Sequence, residues 1–357
     1  MASINHLSQE LIFNILTFLP VLSLLRCKAV CKSWKSIISD PHFVQDHLTV
    51  SHNKPPRPFS LLIVIPTGAL EGFYLETPGE NTVKLTLPDF MYGMHIHVCC
   101  CNGLVILADI KVRVLYIWNP LTRLFKLLPK SNIFRSCLNL IYANEFGFWF
   151  DSVNNDYKIL RVMYGNFTNG VDHIYVMAAG VYSVNSDSWR EIPVPNDMRG
   201  FRSVAFSKRV VGRDALYFEE KDRIVSFDLY NEVFGFCQYP DSGERMSYIL
   251  NFDDSLGLIM KSGGEGAALS LWKLDGFGDN VTWTKMFNIE PDVKIDRVFM
   301  YLGDAQFLAQ DSDIGFFIYD DKKKKNKTPL ARPFQGCISA VQFTGSLVSL
   351  KGFERHE

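Results

Sequence analysis

Four side chains with metal-binding chemistry alternate along one short stretch of the sequence. His95, His97, Cys99 and Cys101 are spaced two residues apart, so on a β-strand they would share one face. Imidazole and thiolate groups together bind zinc or copper, which makes this stretch the first candidate for a chemical site. The alternative, which we favour, is a β-strand on which these side chains only pack, so neither a metal nor a cofactor is expected.

Other arrangements with chemical potential are weaker. Cys27 and Cys31 are four residues apart on a helical segment, but no second ligand pair flanks them, so we interpret them as packing residues. The glycine-rich segment 262–266 lacks the Lys-Ser/Thr pair of a phosphate-binding loop and is expected to be a hairpin tip. No nucleophilic triad can be placed from the sequence, and no carboxylate pair stands out among the scattered acidic residues.

Composition excludes several classes of function. The 357 residues carry a formal net charge of -1, so there is no basic field to attract nucleic acid or an anionic membrane. The longest apolar stretch, Phe59 to Ile65, is far shorter than the roughly 20 residues that span a bilayer. The 8 cysteines are scattered apart from Cys99–Cys101, which indicates reduced thiols in the cytoplasm and/or nucleus. The lysines at 322–325 and 327 are read as a solvated loop, with a nuclear import signal as the alternative.

The sequence changes character near residue 50. We predict a helical domain at 1–48, a linker at 49–58 that includes a polar, proline-rich stretch, and a β domain at 59–353. The first helix would lie between an N-cap at Ser8 and Pro20, and the second would begin near Ser23. The third would carry Val30, Cys31, Trp34, Ile37 and Ile38, and the fourth would run from Asp40-Pro41 through Leu48.

The helical segment has more apolar surface than its size can bury. About 40 residues form a marginal module by themselves, so the surplus surface implies contact with something else. Two interpretations remain open from the pattern alone: the helices bind a partner protein, or they dock on the β domain of the same chain.

Aromatic strands that run into turns recur along the β domain. The anchors Tyr116, Tyr182, Phe227, Trp272 and Phe317 are separated by 66, 45, 45 and 45 residues, and Tyr74 lies 42 residues before the first. A period of about 45 residues is typical of propeller blades of four strands. We therefore predict about six blades, closed by pairing of the apolar run 337–350 with the first blade; a β-sandwich of similar strand count is the alternative.

The helical segment resembles an F-box, continuously from Leu7 to Leu48. F-boxes usually open with Leu-Pro, whereas Ser8 follows Leu7 in this sequence. The motifs that carry the resemblance are Leu7-Ser8-Gln9-Glu10-Leu11, Ile15-Leu16, Leu19-Pro20, Ser23-Leu24-Leu25-Arg26, Val30-Cys31-Lys32-Ser33-Trp34 and Ile37-Ile38-Ser39-Asp40-Pro41-His42-Phe43.

The β domain resembles the plant F-box-associated interaction domain, as in the S-locus F-box and F-box/kelch types. Each motif is short, but the set occurs in family order between Leu62 and Tyr319. The motifs are Cys101-Asn102-Gly103-Leu104, Trp118-Asn119-Pro120 with Leu128-Pro129, Phe146-Gly147-Phe148 with Asp156-Tyr157-Lys158, Val181-Tyr182-Ser183 with Ser188-Trp189-Arg190, Phe227-Asp228-Leu229 with Glu232-Val233-Phe234, and Leu271-Trp272 with Trp283-Thr284-Lys285.

Together the resemblances imply an α+β multidomain protein, with a small all-α N-terminal F-box followed by an all-β propeller. They imply a non-catalytic protein, the substrate-recognition subunit of an SCF E3 ubiquitin ligase. The F-box would bind a Skp-family adaptor and, through it, cullin and RING subunits, and the β domain would recruit an unknown target protein for ubiquitination and proteasomal degradation. The residues expected at the adaptor are Leu7, Leu11, Ile15, Leu16, Leu19, Pro20, Leu24, Val30, Cys31 and Trp34.

Two alternatives to the ligase subunit stay open. The first is an F-box binding module that acts outside a ligase, and the second is a propeller enzyme or glycan binder with an incidental helical N-terminus. The target-binding residues are unknown; candidate loops are the insertion at 163–173 and the turn at 240–246. Lys28, Lys32 and Lys35 are interpreted as a solvated helix face, with electrostatic steering of the adaptor as the alternative.

Overall fold

A computed structural model describes residues 7–53, 61–66, 70–75, 82–85, 96–109, 114–133, 141–166, 174–198, 209–211, 214–219, 223–252, 255–262, 268–276, 281–290, 295–311, 315–323, 325–326 and 339–355. The chain divides into two compact units, residues 1–128 with 337–357, and residues 129–336. Among the described residues, no helix is both long and apolar enough to cross a membrane.

Four helices begin the chain: α1 (Gln9–Thr17), α2 (Val21–Cys27), α3 (Lys32–Ser39) and α4 (Pro41–Asn53). Ser8 Oγ accepts a hydrogen bond from the Leu11 amide at 3.2 Å, and Asp40 Oδ1 accepts one from the His42 amide at 2.8 Å. Both caps confirm the predicted helix starts, because a side-chain oxygen there satisfies an otherwise unpaired first-turn amide.

Three helix boundaries differ from prediction. Helix α2 begins at Val21, two residues before the predicted start near Ser23. Helix α4 continues to Asn53, five residues past Leu48, so the first half of the predicted linker 49–58 is helical; residues 54–58 lie outside the described residues. Helix α3 begins at Lys32, and Cys31 is its N-cap, with its sulfur 3.5 Å from the Trp34 amide. Val30 and Cys31 therefore do not lie on the α3 stripe, because capping geometry outweighed the apolar spacing.

The first unit contains nine strands in two antiparallel sheets. The strands are β1 (Leu61–Pro66), β2 (Leu70–Leu75), β3 (Thr82–Leu85), β4 (Ile96–Cys101), β5 (Leu104–Asp109), β6 (Val114–Asn119), β7 (Leu124–Leu127), β24 (Ser339–Gln342) and β25 (Glu354–Arg355), all within the described part of the chain. One sheet has the order β24-β1-β2-β3 and the other the order β25-β7-β6-β5-β4.

The described residues of the second unit form sixteen strands and a short 3-10 helix, Asn196–Met198. The strands are β8 (Ile141–Asp151), β9 (Asp156–Asn166), β10 (Ile174–Ser183), β11 (Ser188–Ile192), β12 (Arg209–Val211), β13 (Ala215–Glu219), β14 (Ile224–Asp228), β15 (Phe234–Cys237), β16 (Arg245–Phe252), β17 (Ser255–Lys261), β18 (Leu269–Asp275), β19 (Thr282–Ile289), β20 (Arg297–Gly303), β21 (Gln306–Asp311), β22 (Gly315–Asp320) and β23 (Lys325–Asn326). Four antiparallel sheets contain four consecutive strands each, β8–β11, β12–β15, β16–β19 and β20–β23.

The 45-residue period marks the same position in every sheet. All six anchors lie on the third strand of a four-strand meander, counting β24 as the first strand of its sheet. The predicted pairing of the apolar run 337–350 with the first blade is also confirmed, because β24 pairs with β1 from Leu61–Gln342 to Val64–Ser339. The longer interval before Tyr182 is explained in part by β8, β9 and β10, which are 11, 11 and 10 residues long.

The turn after the third strand repeats one chemical device. Asn119 Oδ1 accepts the amides of Leu121 and Thr122 at 3.1 and 3.2 Å, and Asp228 Oδ1 accepts those of Tyr230 and Asn231, both at 2.8 Å. A side-chain oxygen at the end of the strand thus replaces a strand partner for the turn amides. Four residues after the end of the strand the backbone has positive φ in three of these turns, at Arg123, Asp187 and Glu232.

A buried ion pair stabilises the second unit. Lys158 Nζ lies 2.7 Å from Asp151 and 2.8 Å from Glu232, and the three side chains are 14%, 11% and 9% exposed. Burial by itself would raise the pKa of Asp151, but hydrogen bonds from Asn154 and Lys158 outweigh it and hold the pKa at about 2. The folded state therefore favours the charged carboxylate.

Replacing that carboxylate tests the ion pair. We expect Asp151→Asn to lower the free energy of unfolding by about 2 kcal/mol at pH 7, because a depressed carboxyl pKa contributes stability above its unfolded value. The contribution declines below about pH 4 and is lost as pH falls through about 2, so the difference from wild type shrinks to roughly half at pH 3. Urea unfolding at pH 7, 4 and 3 measures this difference in the free energy of unfolding.

Asp241→Asn is the matched control, because Asp241 is an exposed aspartate of another turn. We expect it to change the free energy of unfolding by less than about 0.5 kcal/mol at each pH. A difference between Asp151→Asn and wild type that stayed constant from pH 7 to pH 3 would contradict the ionic origin of the effect.

Candidate functional site

One face of helix α1 leaves a row of large apolar side chains in contact with solvent. Leu7, Leu11, Ile15 and Phe18 are 41%, 45%, 48% and 63% exposed. Leu11 and Ile15 are four residues apart on α1 and therefore share one side of the helix, while Leu7 precedes its N-cap and Phe18 is its C-cap. We call these four residues the α1 row. Leu7, Leu11 and Ile15 belong to the predicted adaptor set; Phe18 is not in that set, although it lies in the same helical stripe.

Two other members of the predicted adaptor set, one on α1 and one on α2, are buried. Leu16 and Leu24 are 1% and 0% exposed and pack in one core with helix residues and with strand residues. The helices therefore dock on the β4–β7 sheet, as one of the two interpretations predicted, and still keep an apolar face outside. That a partner protein covers this face stays a prediction. This shared core, as we name it, consists of Leu16, Val21, Leu24, Ile38, Phe43, Val105, Leu107, Trp118, Leu121, Phe343 and Leu347.

The remaining members of the predicted set lie between these extremes. Leu19 and Trp34 are half-buried against the shared core, and Pro20, also half-buried, is the N-cap residue of α2. Val30 is 63% exposed in the segment between α2 and α3. Cys31 is exposed as well, and its sulfur caps α3.

Helix α4 contacts α1 and the residues that follow it. Phe13 meets Phe43 edge to face, with ring centroids 5.1 Å apart, and Phe43 stacks on His47. His47 Nε2 lies 2.9 Å from the carbonyl oxygen of Leu19, and because a carbonyl only accepts, that nitrogen carries the proton. These contacts hold the chain at the end of α1, next to Phe18.

The C-terminal segment completes the shared core. Phe343 and Leu347 are buried in it, and Asn119 Nδ2 donates to the carbonyl oxygens of Ser346 and Val348 at 3.0 and 2.9 Å. Ser346 Oγ in turn donates to the Asn102 carbonyl at 2.6 Å. Residues of two sequence motifs, Cys101–Leu104 and Trp118–Pro120, thus anchor a segment more than 200 residues away in the chain.

The three lysines predicted to share a helix face are not all on one helix. Lys32 and Lys35 are exposed on α3, whereas Lys28 is the C-cap residue of α2 and half-buried. Burial, with the nearby charge of Lys35, lowers the pKa of Lys28. The three lysines therefore do not form the single helical face that their spacing predicted.

The candidate metal stretch is only partly described. Cys99 is buried and Cys101 half-buried, while His95 lies outside the described residues. The described part of the chain holds no group of three or more His, Cys, Asp or Glu side chains arranged to bind a metal ion.

The candidate target loops have mixed outcomes. Met163 is 0% exposed on β9, so it is a core residue and not part of a docking loop; residues 167–173 lie outside the described residues. The turn at 240–244 precedes β16, and its Glu244 accepts hydrogen bonds from Ser270 and Lys285 at 2.6 and 3.2 Å. Its role at a target stays a prediction.

Comparison with known proteins identifies both parts of the chain. The F-box domain profile matches residues 4–46, and the profile described as F-box associated beta propeller domain matches residues 80–346. An F-box/kelch-repeat protein of Arabidopsis thaliana is 23% identical over 98% of this chain and 97% of its own length. An F-box protein of the same plant is 25% identical over 96% of this chain and 92% of its own length. The F-box/WD-40 repeat-containing protein 1 of that plant is 27% identical over 80% of this chain and 70% of its own length.

The close approach of Ser346 to Gly103 tests the anchoring of the C-terminal segment. Gly103 has φ +74°, and an added Cβ would lie 2.5 Å from Ser346 Oγ and 2.6 Å from its amide nitrogen. We expect Gly103→Ala to cost about 2–4 kcal/mol of unfolding free energy, because positive-φ strain adds to the clash.

Gly243→Ala is the matched control, since Gly243 has φ +68° and nothing within 4 Å of an added Cβ. Backbone strain alone predicts a cost of about 1 kcal/mol there. Urea unfolding of the two variants measures the difference, and equal costs would show that the Ser346 contact adds nothing to stability.

Proposed function

We propose that this chain, which belongs to the F-box proteins that carry an F-box-associated β-propeller domain, is the substrate-recognition subunit of an SCF E3 ubiquitin ligase. Its fold class is the predicted one, a small N-terminal helical F-box followed by a β-propeller. In this proposal the F-box binds a Skp-family adaptor, which links to cullin and RING subunits, and the propeller binds the protein to be ubiquitinated.

The exposed α1 row is the observation that carries the proposal. Leu7, Leu11 and Ile15 remain 41–48% exposed although Leu16, one residue along, is buried to 1%. The chain thus has a well-packed core beneath α1 and still leaves its other side apolar. Covering a half-exposed Leu or Ile contributes roughly 1 kcal/mol, so a partner that covers the row gains several kcal/mol.

Catalysis in such a complex comes from proximity. The chain itself forms no covalent intermediate in this proposal, and it holds a target lysine near a ubiquitin-conjugating enzyme brought by the other subunits. A bimolecular transfer then becomes effectively intramolecular, with a high effective concentration set by the assembly. We propose that the complex works in the cytoplasm and/or nucleus, as the scattered cysteines indicate.

Charge placed on the α1 row tests adaptor binding. We expect Leu11→Glu combined with Ile15→Glu to raise the Kd for a recombinant Skp-family adaptor at least ~100-fold, because each carboxylate must be desolvated in an apolar contact. Both side chains are exposed, so the unfolding midpoint should change little. Isothermal titration calorimetry and urea unfolding measure the two quantities.

Two controls separate the surface from the core. Leu127→Glu changes a 54% exposed leucine on β7 and should leave adaptor affinity unchanged. Leu24→Ala removes a fully buried side chain and should cost about 2–5 kcal/mol of stability while folded molecules still bind adaptor. Full affinity in the double glutamate variant would refute the proposed contact.

Point variants are preferable to removal of the F-box, because deleting residues 1–48 would expose Val105, Trp118 and Leu347 of the shared core. Reconstitution of wild-type chain with adaptor, cullin and RING subunits tests the ligase itself. We expect one complex in gel filtration and ubiquitin transfer to bound protein. Adaptor binding without cullin recruitment would instead favour a binding module that acts outside a ligase.

A further inference from the structure

Two hairpin turns of the second unit are fastened to each other by side-chain hydrogen bonds. The Asp156 carboxylate accepts from Ser183 Oγ at 2.6 Å and from the Asn185 amide at 2.9 Å, and Asn185 Nδ2 donates to the Asn155 carbonyl at 3.2 Å. Asp151 caps the first turn by accepting the amides of Val153 and Asn154. The β8–β9 turn (152–155) and the β10–β11 turn (184–187) are therefore held in one arrangement.

A third turn, β14–β15 (229–233), is fastened to the same place. Glu232 accepts from Lys158, which also binds Asp151, and it contacts Arg190 on β11. Because Glu232 and Asp151 both bind the ammonium group of Lys158, the three turns lie next to one another in the second unit. We call this edge the three-turn surface.

Large apolar side chains project from this otherwise polar edge. Tyr230, Val153 and Val233 are 78%, 71% and 55% exposed. The α1 row is the other such group among the described residues, and its exposure is used by the adaptor contact proposed above. Turn residues of a folded domain are normally polar, so three apolar tips fixed by buried ion pairs and caps indicate a surface built for contact.

The charge of the surface is acidic. The described residues of the three turns and their flanks, 151–158, 183–190 and 228–234, contain five carboxylates, of which that of Asp156 is buried, and only two cations, Lys158 and Arg190. Both cations are engaged by Asp151 and Glu232, so the net charge there stays negative. Asp214, which is exposed, adds a further carboxylate, since its carbonyl accepts the Leu229 amide at 3.0 Å and so places it beside the third turn.

We infer that the three-turn surface binds a basic segment of the target protein, with Lys or Arg side chains flanked by an apolar residue. This inference rests on the proposed function, in which the propeller holds the target. Tyr230 offers a ring face for a cation, and the excess of carboxylates attracts it, while Val153 and Val233 contact the apolar residue. Because the turns are fixed before binding, little conformational entropy is lost when the segment docks.

A randomised peptide display against the full chain in complex with its Skp-family adaptor tests the inference. We expect enriched peptides to be basic and to contain an apolar residue. One such peptide, labelled, should bind Tyr230→Ala and Asp214→Lys each at least ~10-fold more weakly than wild type, and binding to wild type should weaken as salt rises. Met286→Ala, which changes a 41% exposed side chain on β19, should bind as wild type.

Each contrary outcome identifies what failed. Enrichment of acidic or uncharged peptides, no enrichment at all, or equal affinity in Tyr230→Ala and wild type would overturn the basic-segment inference. Self-association of the chain that Tyr230→Ala abolishes would assign the surface to a second copy and overturn it too. Adaptor binding, measured in the same samples, reports separately on the proposed function, because none of these variants touches the α1 row.

Discussion

The burial of Leu16 and Leu24 against side chains of the β4–β7 sheet is the contact on which the rest of the first unit depends. The helical segment alone is too small to bury its apolar residues, and strand and C-terminal side chains such as Trp118 and Phe343 supply the missing partners. With one side of α1 committed to this core, the α1 row is left on the other side. The same packing that stabilises the helices therefore also presents the surface proposed to bind the adaptor.

The C-terminal segment makes the shared core depend on two parts of the chain that are far apart in sequence. β24 pairs with β1, and β25 pairs with β7. In the segment that connects β24 to β25, the carbonyl oxygens of Ser346 and Val348 accept hydrogen bonds from Asn119. Strands at 339–342 and 354–355 are thus joined to sheets formed by strands between residues 61 and 127. Contacts across such a sequence separation close a long loop, whose entropic cost is recovered only when Phe343 and Leu347 are buried.

The two candidate surfaces differ in how they are made. The α1 row is a helix face whose exposure follows from what lies beneath it, whereas the three-turn surface is a set of hairpin tips fixed by Lys158, Asp156 and Asn185. Apolar contact suits a constant partner such as an adaptor. Turn residues can vary without disturbing the strands, which suits the recognition of a particular target.

The sequence by itself determined the local structure of this protein. The caps at Ser8 and Asp40 and the turns that follow the third strands depend on residues within a few positions of each other, and the 45-residue spacing repeats along the chain, so residue types and order are sufficient to predict them. The helical and β-propeller parts were predictable for the same reason. Where local signals competed, as at Cys31 and at the end of α4, prediction failed by a few residues.

Only the tertiary structure decided which apolar residues face outward. Neighbouring residues of the α1 stripe could not be ranked by spacing, because Ile15 and Leu16 differ in exposure through contacts with strands more than 80 residues away. The three-turn surface likewise depends on Lys158 meeting Glu232, which are 74 residues apart. Long-range packing chooses among faces that the sequence pattern leaves equivalent, and that choice places the surfaces available to partners.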